Sequence, residues 1–198
     1  MPTDVAYALG RVESESTRMT GLVEDLLLLA RLDNGRAVAH EPVDLTRLVV
    51  DAVSDARAAG QDHRWTLALP AEPVELVGDA DRLHQVVVNL LGNAGAHTPP
   101  GTTVTVGLSI EDGSVLLRVS DGGPGIPPGL LPRVFERFAR GDSSRSRAAG
   151  STGLGLAIVS AVAEAHGGTV GVDSSPAGTT FTVRLPATGV PVEDGSVG

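Results

Sequence analysis

Three segments rich in asparagine or glycine lie between residues 89 and 156, and they constrain the fold of the chain more than any other feature. Residues 89–93 read Asn-Leu-Leu-Gly-Asn, residues 121–126 read Asp-Gly-Gly-Pro-Gly-Ile, and residues 150–156 read Gly-Ser-Thr-Gly-Leu-Gly-Leu. Because glycine allows turns and close backbone approaches that other residues resist, such segments favour loops that meet a ligand. We therefore expect them to border a pocket.

The stretches between these segments have the periodicities of helices and strands. Asp44 and Asp79 each stand where a helix N-cap belongs, just before apolar residues at helical spacing. Helices are predicted over residues 11–33, 45–59, 80–96 and 154–166, with a short helical piece near 130–138. Strands are predicted over residues 65–69, 74–77, 104–110, 115–120, 169–172 and 179–185. Clustered strands with helices on one side predict a two-layer sandwich of the α+β class.

The first predicted helix, residues 11–33, carries an apolar seam that its own chain does not obviously cover. Its spacing alternates between four and three residues, which is typical of a coiled coil or a helical bundle. Leu22 and Leu29 widen the stripe, so this helix is expected to have partners. The residues of the seam are Val12, Ser16, Met19, Val23, Leu26 and Ala30.

Composition excludes several classes of function. There is no cysteine, which rules out disulfides, thiolate catalysis and cysteine-ligated zinc. A net charge of −9 argues against nucleic acid as the main partner. No apolar run approaches the roughly 18 residues of a membrane span, and no secretory signal is visible. A cytoplasmic location is expected, and it is compatible with attachment to a membrane-bound sensor partner.

Asn89 and Asn93 lie four residues apart and share one face of a predicted helix. Their amide oxygens could coordinate Mg²⁺, a hard cation that prefers oxygen and is usually completed by phosphates and water. The alternative is that both are solvated helix residues, and the segment taken alone favours that alternative.

Asp121 and the glycines after it follow a predicted strand. An aspartate there can accept a hydrogen bond from an exocyclic amine such as that of adenine. Gly153 and Gly155 open a helix, where backbone N–H groups form an anion site that phosphate can reach. The alternatives are an ordinary glycine- and proline-rich loop for the first segment, and a flexible linker before a helix for the second.

A cluster of arginines lies between the two glycine segments. Within residues 133–147 five arginines meet only two acids, Glu136 and Asp142, which gives a local charge of +3. This pattern suits a lid that closes over a triphosphate. Phe135 and Phe138 are expected to anchor the hinge of the lid to the core. The arginines are Arg133, Arg137, Arg140, Arg145 and Arg147, and the chain contains no lysine.

The histidines carry less information. His97 follows the asparagine helix, and we expect it to face the mouth of the pocket. The others have no partners at metal-ligand spacing and are expected to be surface or helix-end residues. They are His40, His63, His84 and His166.

The order of these segments resembles the catalytic, ATP-binding domain of bacterial sensor histidine kinases, in the superfamily that includes gyrase, Hsp90 and MutL. The resemblance runs from about Arg18 to Leu185, and six motifs in order make it specific. In chain order they are the second helix of the dimerisation bundle (18–33), the asparagine box (79–99), the first glycine box (121–126), the lid motif (135–138), the second glycine box (153–156) and the closing strand motif (178–181).

The resemblance implies a mixed sheet packed by three helices, Mg²⁺ and ATP as cofactors, and a set of site residues. Asn93, with Asn89, would hold the metal. These two residues and the lid arginines Arg137 and Arg140 would take part in catalysis. Asp121 would bind the adenine amine. The remaining nucleotide contacts would come from Gly123, Gly125, Ile126, Phe138, Gly153, Leu154, Gly155 and Leu156.

Three departures from the family pattern affect this expectation. Ala96 and His97 stand where the family often has lysine and tyrosine, which removes one phosphate contact. Ser151 stands where glycine is common. No histidine precedes the bundle helix, since the first is His40, so the phosphoacceptor box and the first bundle helix are missing. We expect either a piece of a longer kinase or, with a slight preference, a short chain or split kinase whose partner supplies the histidine.

The expected organisation is a partial dimerisation helix over 1–36, an ATP-binding catalytic domain over 37–186 and a disordered tail over 187–198. The expected function is transfer of the ATP γ-phosphate to a histidine on another segment or a partner chain, and then to a response regulator. Homo- or hetero-oligomers would form through residues 11–33. Two alternatives remain open: a serine kinase of the anti-sigma type, and an ATP-sensing module without catalysis.

Overall fold

The computed structural model describes residues 2–34, 38–59, 62–139 and 152–187. A 3₁₀ turn also spans Leu131–Arg133. The helices are α1 (Pro2–Asp33), α2 (Leu45–Ala58), α3 (Ala80–His97) and α4 (Gly155–Ala165). The strands are β1 (Glu41–Asp44), β2 (Arg64–Ala68), β3 (Glu75–Gly78), β4 (Thr103–Glu111), β5 (Ser114–Asp121), β6 (Thr169–Ser175) and β7 (Gly178–Pro186).

The strands form a mixed five-stranded sheet and a separate two-stranded ribbon. The sheet has the order β2-β4-β5-β7-β6, in which β2 runs parallel to β4 and the other neighbours are antiparallel. Strands β1 and β3 pair antiparallel to make the ribbon. Three helices, α2, α3 and α4, contact one another and the sheet. The predicted two-layer α/β sandwich, with a mixed sheet packed by three helices, is therefore confirmed.

The core lies between the helices and one face of the sheet. Val115, Leu117 and Val119 alternate along β5 and are at most 1% exposed. The opposite face carries the buried Leu116 together with polar side chains, and Thr180 donates to Ser120 there across β7 and β5 (Oγ1 to Oγ, 2.9 Å). The regular alternation of Val115, Leu117 and Val119 is the pattern expected of a strand that faces a core.

Helix caps begin the two helices that the sequence marked with aspartate. The Oδ1 atom of Asp44 accepts from the backbone N–H of Arg47 at 2.9 Å at the start of α2. Asp79 does the same for Arg82 at 3.1 Å at the start of α3. Each bond satisfies one of the donors that a helix N-terminus leaves free. The predicted start of the asparagine helix is therefore confirmed.

Helix α1 joins the domain through its last turns and leaves its outer face uncovered. Leu28 and Leu29 are 7% and 1% exposed, and α1 packs beside α4. The apolar residues exposed on the other face are Val12, Met19, Val23 and Leu27. The predicted stripe is therefore correct at Val12, Met19 and Val23, but it was wrong at Leu22, Leu26 and Leu29, which pack against the domain core. The helix also begins at Pro2, nine residues earlier than predicted.

One local prediction was wrong. The helical piece expected near 130–138 is only the 3₁₀ turn at Leu131–Arg133, and Phe138 takes a positive φ of 61°, which a helix does not allow. The short strand β1 contains Pro42, and proline is tolerated at a sheet edge. The disordered tail was predicted over 187–198; Ala187 instead donates its backbone N–H to the carbonyl of Gly113 at 3.0 Å, and residues 188–198 lie outside the described residues. Among the described residues, no helix has the length and apolar character to cross a bilayer.

Candidate functional site

Helix α3 brings its asparagines against the start of helix α4. Asn89 and Asn93 are both half-buried on α3. A Cβ added to Gly155 would lie 3.4 Å from the Oδ1 atom of Asn89, so the two helices meet closely at this point. The amide nitrogen of Asn89 is buried and has no hydrogen-bond partner among the described residues. The structure therefore places the predicted asparagine face beside the second glycine segment.

The loop after β5 fixes the carboxylate of Asp121 at the edge of the sheet. The backbone N–H of Gly123 donates to Oδ1 of Asp121 at 2.8 Å. A Cβ at Gly123 would stand 2.6 Å from the methyl of Thr98 and 2.7 Å from Asp121 Oδ1, so only glycine fits between them. This tight turn fixes the orientation of the Asp121 carboxylate.

Burial shapes the electrostatics of this corner. Desolvation raises the pKa of Asp121, and backbone hydrogen bonds from Gly123 and Thr179 together with the charges of His63 and His97 oppose the rise. Desolvation lowers the pKa of His97, and the nearby Asp121 opposes that change. His97 thus lies near Asp121, as expected of a residue at the pocket mouth. A half-buried aspartate without a salt bridge is poised to accept a hydrogen bond.

The next turn of the same loop rests on the connection between β6 and β7. Gly125 has a φ of 78°, and a Cβ there would approach the carbonyl oxygen of Ser175 to 2.1 Å. The backbone N–H of Ile126 donates to Ser174 Oγ at 2.8 Å, and that hydroxyl also meets Thr179 Oγ1 at 3.0 Å. The predicted glycine at 125 is therefore required by its backbone conformation and by a close approach.

The second glycine segment leads directly into the first turn of α4. Leu154 is fully buried, so it contributes packing and a main-chain N–H, which donates to Thr152 Oγ1 at 3.3 Å. Gly155 and Leu156 form the first turn of α4, and Leu156 packs partly against the core. The first N–H groups of a helix have no intrahelical acceptor, so they are available to an anion.

The lid motif is hinged on one phenylalanine, where two were expected. Phe135 packs edge-on against Phe181 with ring centroids 6.2 Å apart. Phe138 is 56% exposed, so the prediction that it anchors the hinge to the core was wrong. Its backbone N–H donates to the carbonyl of Gly153 at 2.9 Å, which ties the lid motif to the second glycine segment.

Arg137 makes a contact that sequence reasoning did not suggest. Its Nη2 atom pairs with Oδ2 of Asp33 at 2.5 Å, at the end of α1, and both side chains are about half exposed. Arg133 pairs with Glu136 at 2.7 Å. Arg140, the other predicted lid arginine, lies outside the described residues.

Several residues around the site carried no sequence signal. Thr98 was predicted only as part of the asparagine box and His63 as a surface or helix-end residue, yet His63 Nε2 and Thr98 Oγ1 lie 2.8 Å apart. Ser174 and Ser175 brace the same loop from the other side. These contacts join residues 35 or more positions apart, so no local pattern reveals them.

The two residues predicted to hold a metal, Asn89 and Asn93, have neutral amide side chains. Within the described ranges, no three histidine, aspartate or glutamate side chains stand close enough together to hold an ion. The amide oxygens of Asn89 and Asn93 fit a cation that draws its remaining ligands from phosphates and water, which is the habit of Mg²⁺.

Comparison with known proteins gives one family. The family model described as histidine kinase-, DNA gyrase B- and HSP90-like ATPase matches residues 78–189. The sensor histidine kinase TcrY of Mycobacterium tuberculosis, named as probable, is 65% identical over 188 residues, which cover 95% of this chain and 40% of TcrY. The chain therefore spans less than half the length of this curated relative.

Two solved structures share the fold and part of the sequence. The mycobacterial sensor histidine kinase MprB superposes with a TM-score of 0.65 at 36% identity, covering 76% of this chain and 99% of the MprB chain. Full-length ShkA, crystallised in complex with AMPPNP, superposes with a TM-score of 0.76 at 33% identity, covering 88% of this chain and 37% of ShkA.

Proposed function

The chain belongs to the histidine kinase-, DNA gyrase B- and HSP90-like ATPases and carries the ATP-binding catalytic part of a sensor histidine kinase, and from that premise we propose that it transfers the γ-phosphate of Mg²⁺-bound ATP to a histidine on another segment or chain. The observation that carries the proposal is the convergence of three elements. Asn89 on α3 lies against Gly155 in the first turn of α4, and Thr98 at the end of the same helix lies against Gly123 of the Asp121 loop.

Adenine would bind at the end of the pocket formed by Asp121, Gly123 and Gly125, which we call the adenine end. Its exocyclic amine would donate to the carboxylate oxygen of Asp121 that Gly123 does not occupy. Ile126 would contribute an apolar contact beside the ring, since it is partly buried at the edge of the core. The complex of ShkA with an ATP analogue supports this assignment by similarity.

The triphosphate would extend toward the phosphate end, which comprises Asn93, residues 153–155 and Arg137. The backbone N–H groups at the start of α4 would receive the phosphate oxygens, with Leu154 and Leu156 holding that turn on the core. Asn93 and Asn89 would hold Mg²⁺, which supplies charge neutralisation between the phosphates. Arg137, Arg140 and the exposed ring of Phe138 would close over the nucleotide.

Transfer needs an in-line nucleophile that this pocket does not provide. We propose that a histidine imidazole from a helical bundle attacks the γ-phosphorus, and that ADP leaves on the opposite side while the residues of the phosphate end hold the geometry. Positioning would supply most of the rate. The phosphohistidine would then pass its phosphoryl group to an aspartate of a response regulator.

The outer face of α1 is the proposed docking surface for that bundle. Val12, Met19, Val23 and Leu27 are each more than half exposed, which is costly for a helix that stays alone in water. In this division, residues 1–36 provide the bundle helix and residues 37–186 the catalytic domain. The reaction is proposed to take place in the cytoplasm, where its ATP donor is found.

A second candidate is an ATP-sensing module without catalysis. The single observation in its favour is Ala96, which stands where the resembling family often has a lysine that contacts phosphate. A serine kinase of the anti-sigma type is disfavoured, because the relatives that match the chain are sensor histidine kinases and α1 continues as a bundle-type helix.

Incubation with γ-labelled ATP tests the proposal and separates the candidates. The chain is assayed alone and with a histidine-bearing bundle fragment, and a fragment whose histidine is replaced by alanine is the control. Label on the fragment that survives alkali and is lost in acid is expected. Acid-stable label would indicate a serine acceptor, and nucleotide binding without any label would indicate the sensing module.

A further inference from the structure

A hydrogen-bonded chain reaches the adenine end from behind and begins at His63, a residue just before β2. Thr98, the C-cap of α3, donates its hydroxyl proton to the carbonyl of Ala94 at 2.8 Å. A hydroxyl has one proton, so the contact of 2.8 Å between Thr98 Oγ1 and His63 Nε2 must use an N–H on the histidine. His63 therefore donates to Thr98 and the direction of both bonds is fixed.

These two bonds hold the side chain of Thr98 in one rotamer, and that rotamer forms a wall of the adenine end. The Cγ2 methyl of Thr98 lies only 2.6 Å from the place where a Cβ of Gly123 would stand. The N–H of Gly123 in turn orients Asp121 Oδ1 at 2.8 Å. A rotation of Thr98 would move its methyl relative to Gly123. The carboxylate of Asp121, which is proposed to accept from the adenine amine, would then lose its fixed orientation.

The surroundings of His63 support a fixed orientation of its ring. Its Nδ1 atom is buried and has no hydrogen-bond partner within the described part of the chain. The ring lies 6.0 Å from that of Trp65, which is only 6% exposed. A buried polar atom without a partner is costly, so the bond from Nε2 to Thr98 is the interaction that offsets this cost.

We infer that His63 is a positioning residue for adenine recognition, acting through Thr98 and Gly123 on the carboxylate of Asp121. The inference rests on the proposed function, since it concerns the same pocket. His63 touches neither the nucleotide nor the phosphates. It sets how sharply Asp121 distinguishes a purine with a 6-amino group from one without it.

The test compares ATP with purine riboside triphosphate, which lacks the 6-amino group, by calorimetric titration in the presence of Mg²⁺. His63→Phe removes the donor, whereas His63→Gln keeps an N–H near the position of Nε2. His84→Phe is the control, because His84 precedes Thr98 by fourteen residues and lies about 21 Å away along the helix. Thr98→Val, which keeps the shape and loses the hydroxyl, gives the same comparison if His63→Phe does not fold.

We expect His63→Phe and Thr98→Val to weaken ATP binding about three- to ten-fold, the value of one hydrogen bond. Binding of purine riboside triphosphate should change little, and His63→Gln and His84→Phe should keep the wild-type preference for ATP. Equal weakening of both nucleotides, no change in either, or the same loss in His63→Gln would overturn the inference. Absence of ATP binding by the wild-type chain would contradict the proposed function instead.

Discussion

The adenine end and the phosphate end of the pocket are held in place very differently. At the adenine end the loop is braced on both sides, by Thr98 against Gly123 and by Ser175 against Gly125. At the phosphate end Arg137 is paired with Asp33, and Phe138 is largely exposed. In the proposed site, adenine recognition would therefore be built into the fold, whereas the phosphate contacts would form only as the nucleotide arrives.

Asn93→Ala is expected to have the largest effect, because it removes a proposed metal ligand at the phosphate end. Loss of metal-assisted charge stabilisation costs several kcal/mol, so the rate of transfer from γ-labelled ATP should fall about a hundred-fold or more. Asn34→Ala is the matched control, since within the described residues Asn34 bonds to the carbonyl of Ala30 near the end of α1. Near-normal transfer by Asn93→Ala would show that the metal assignment is wrong.

Gly125→Ala tests whether the adenine end is rigid. The new methyl would meet the carbonyl of Ser175 on a backbone with φ of 78°, so we expect a loss of about 1–3 kcal/mol in the free energy of unfolding. ATP affinity should fall about tenfold, measured by calorimetry. Gly129→Ala, where nothing lies within 4 Å, should change neither quantity. If Gly125→Ala lowers neither the free energy of unfolding nor the ATP affinity, the loop is not braced at this residue.

Acidification should weaken ATP binding through Asp121. Burial raises the pKa of this carboxyl, so it takes up a proton and loses its acceptor at a higher pH than an ordinary aspartate. The folded state binds this proton more tightly than the unfolded chain, so the same titration makes folding more favourable as the pH falls through the raised pKa. Loss of affinity therefore does not reflect unfolding at this group.

The pH profile of ATP affinity, measured by displacement of a fluorescent nucleotide, checks this expectation. Asp121→Asn provides the reference, because its amide does not titrate and its weaker binding should vary little over the acid range. His97, whose pKa burial lowers, would contribute at most a separate step that persists in Asp121→Asn. If ATP affinity falls equally at low pH in the wild type and in Asp121→Asn, Asp121 does not take part in adenine recognition.

Asp33→Ala should have the smallest effect and act only at the phosphate end. It frees Arg137 from its pair with the end of α1, and a half-exposed pair of this kind is worth little. ATP affinity should therefore rise by at most about five-fold. Asp51→Ala, which breaks the exposed pair with Arg47, is the matched control and should leave affinity unchanged. A loss of affinity in Asp33→Ala would mean that the pair helps to build the site.

Helical periodicity and caps predicted most of the fold because those signals are local. Asp44 and Asp79 begin their helices as expected, and the apolar spacing that follows each of them forms the buried face. The strand Glu41–Asp44 was not predicted as a strand, and the 3₁₀ turn at Leu131–Arg133 was predicted as a longer helical piece, since each element is too short for a period to be read. Leu26 departs from the seam because its side chain packs against the domain core.

The candidate site was predictable where glycine and asparagine carry the chemistry and not where tertiary contacts do. Gly125 and Gly155 stand out in the sequence, and their close approaches explain why. The pairs His63–Thr98 and Asp33–Arg137 join residues far apart in the chain. No composition or spacing marks such pairs, because each depends on how the helices and the sheet pack.

Amide hydrogen exchange with and without a non-hydrolysable Mg²⁺-bound ATP analogue tests the contrast between the two ends most directly. Residues 121–126 should exchange slowly already in the free protein, because Gly122, Gly123 and Ile126 donate to Thr103, Asp121 and Ser174. Residues 152–156 should exchange rapidly when free and become protected with nucleotide. Equal exchange at both ends in the free protein, or protection that appears only elsewhere, would contradict this account.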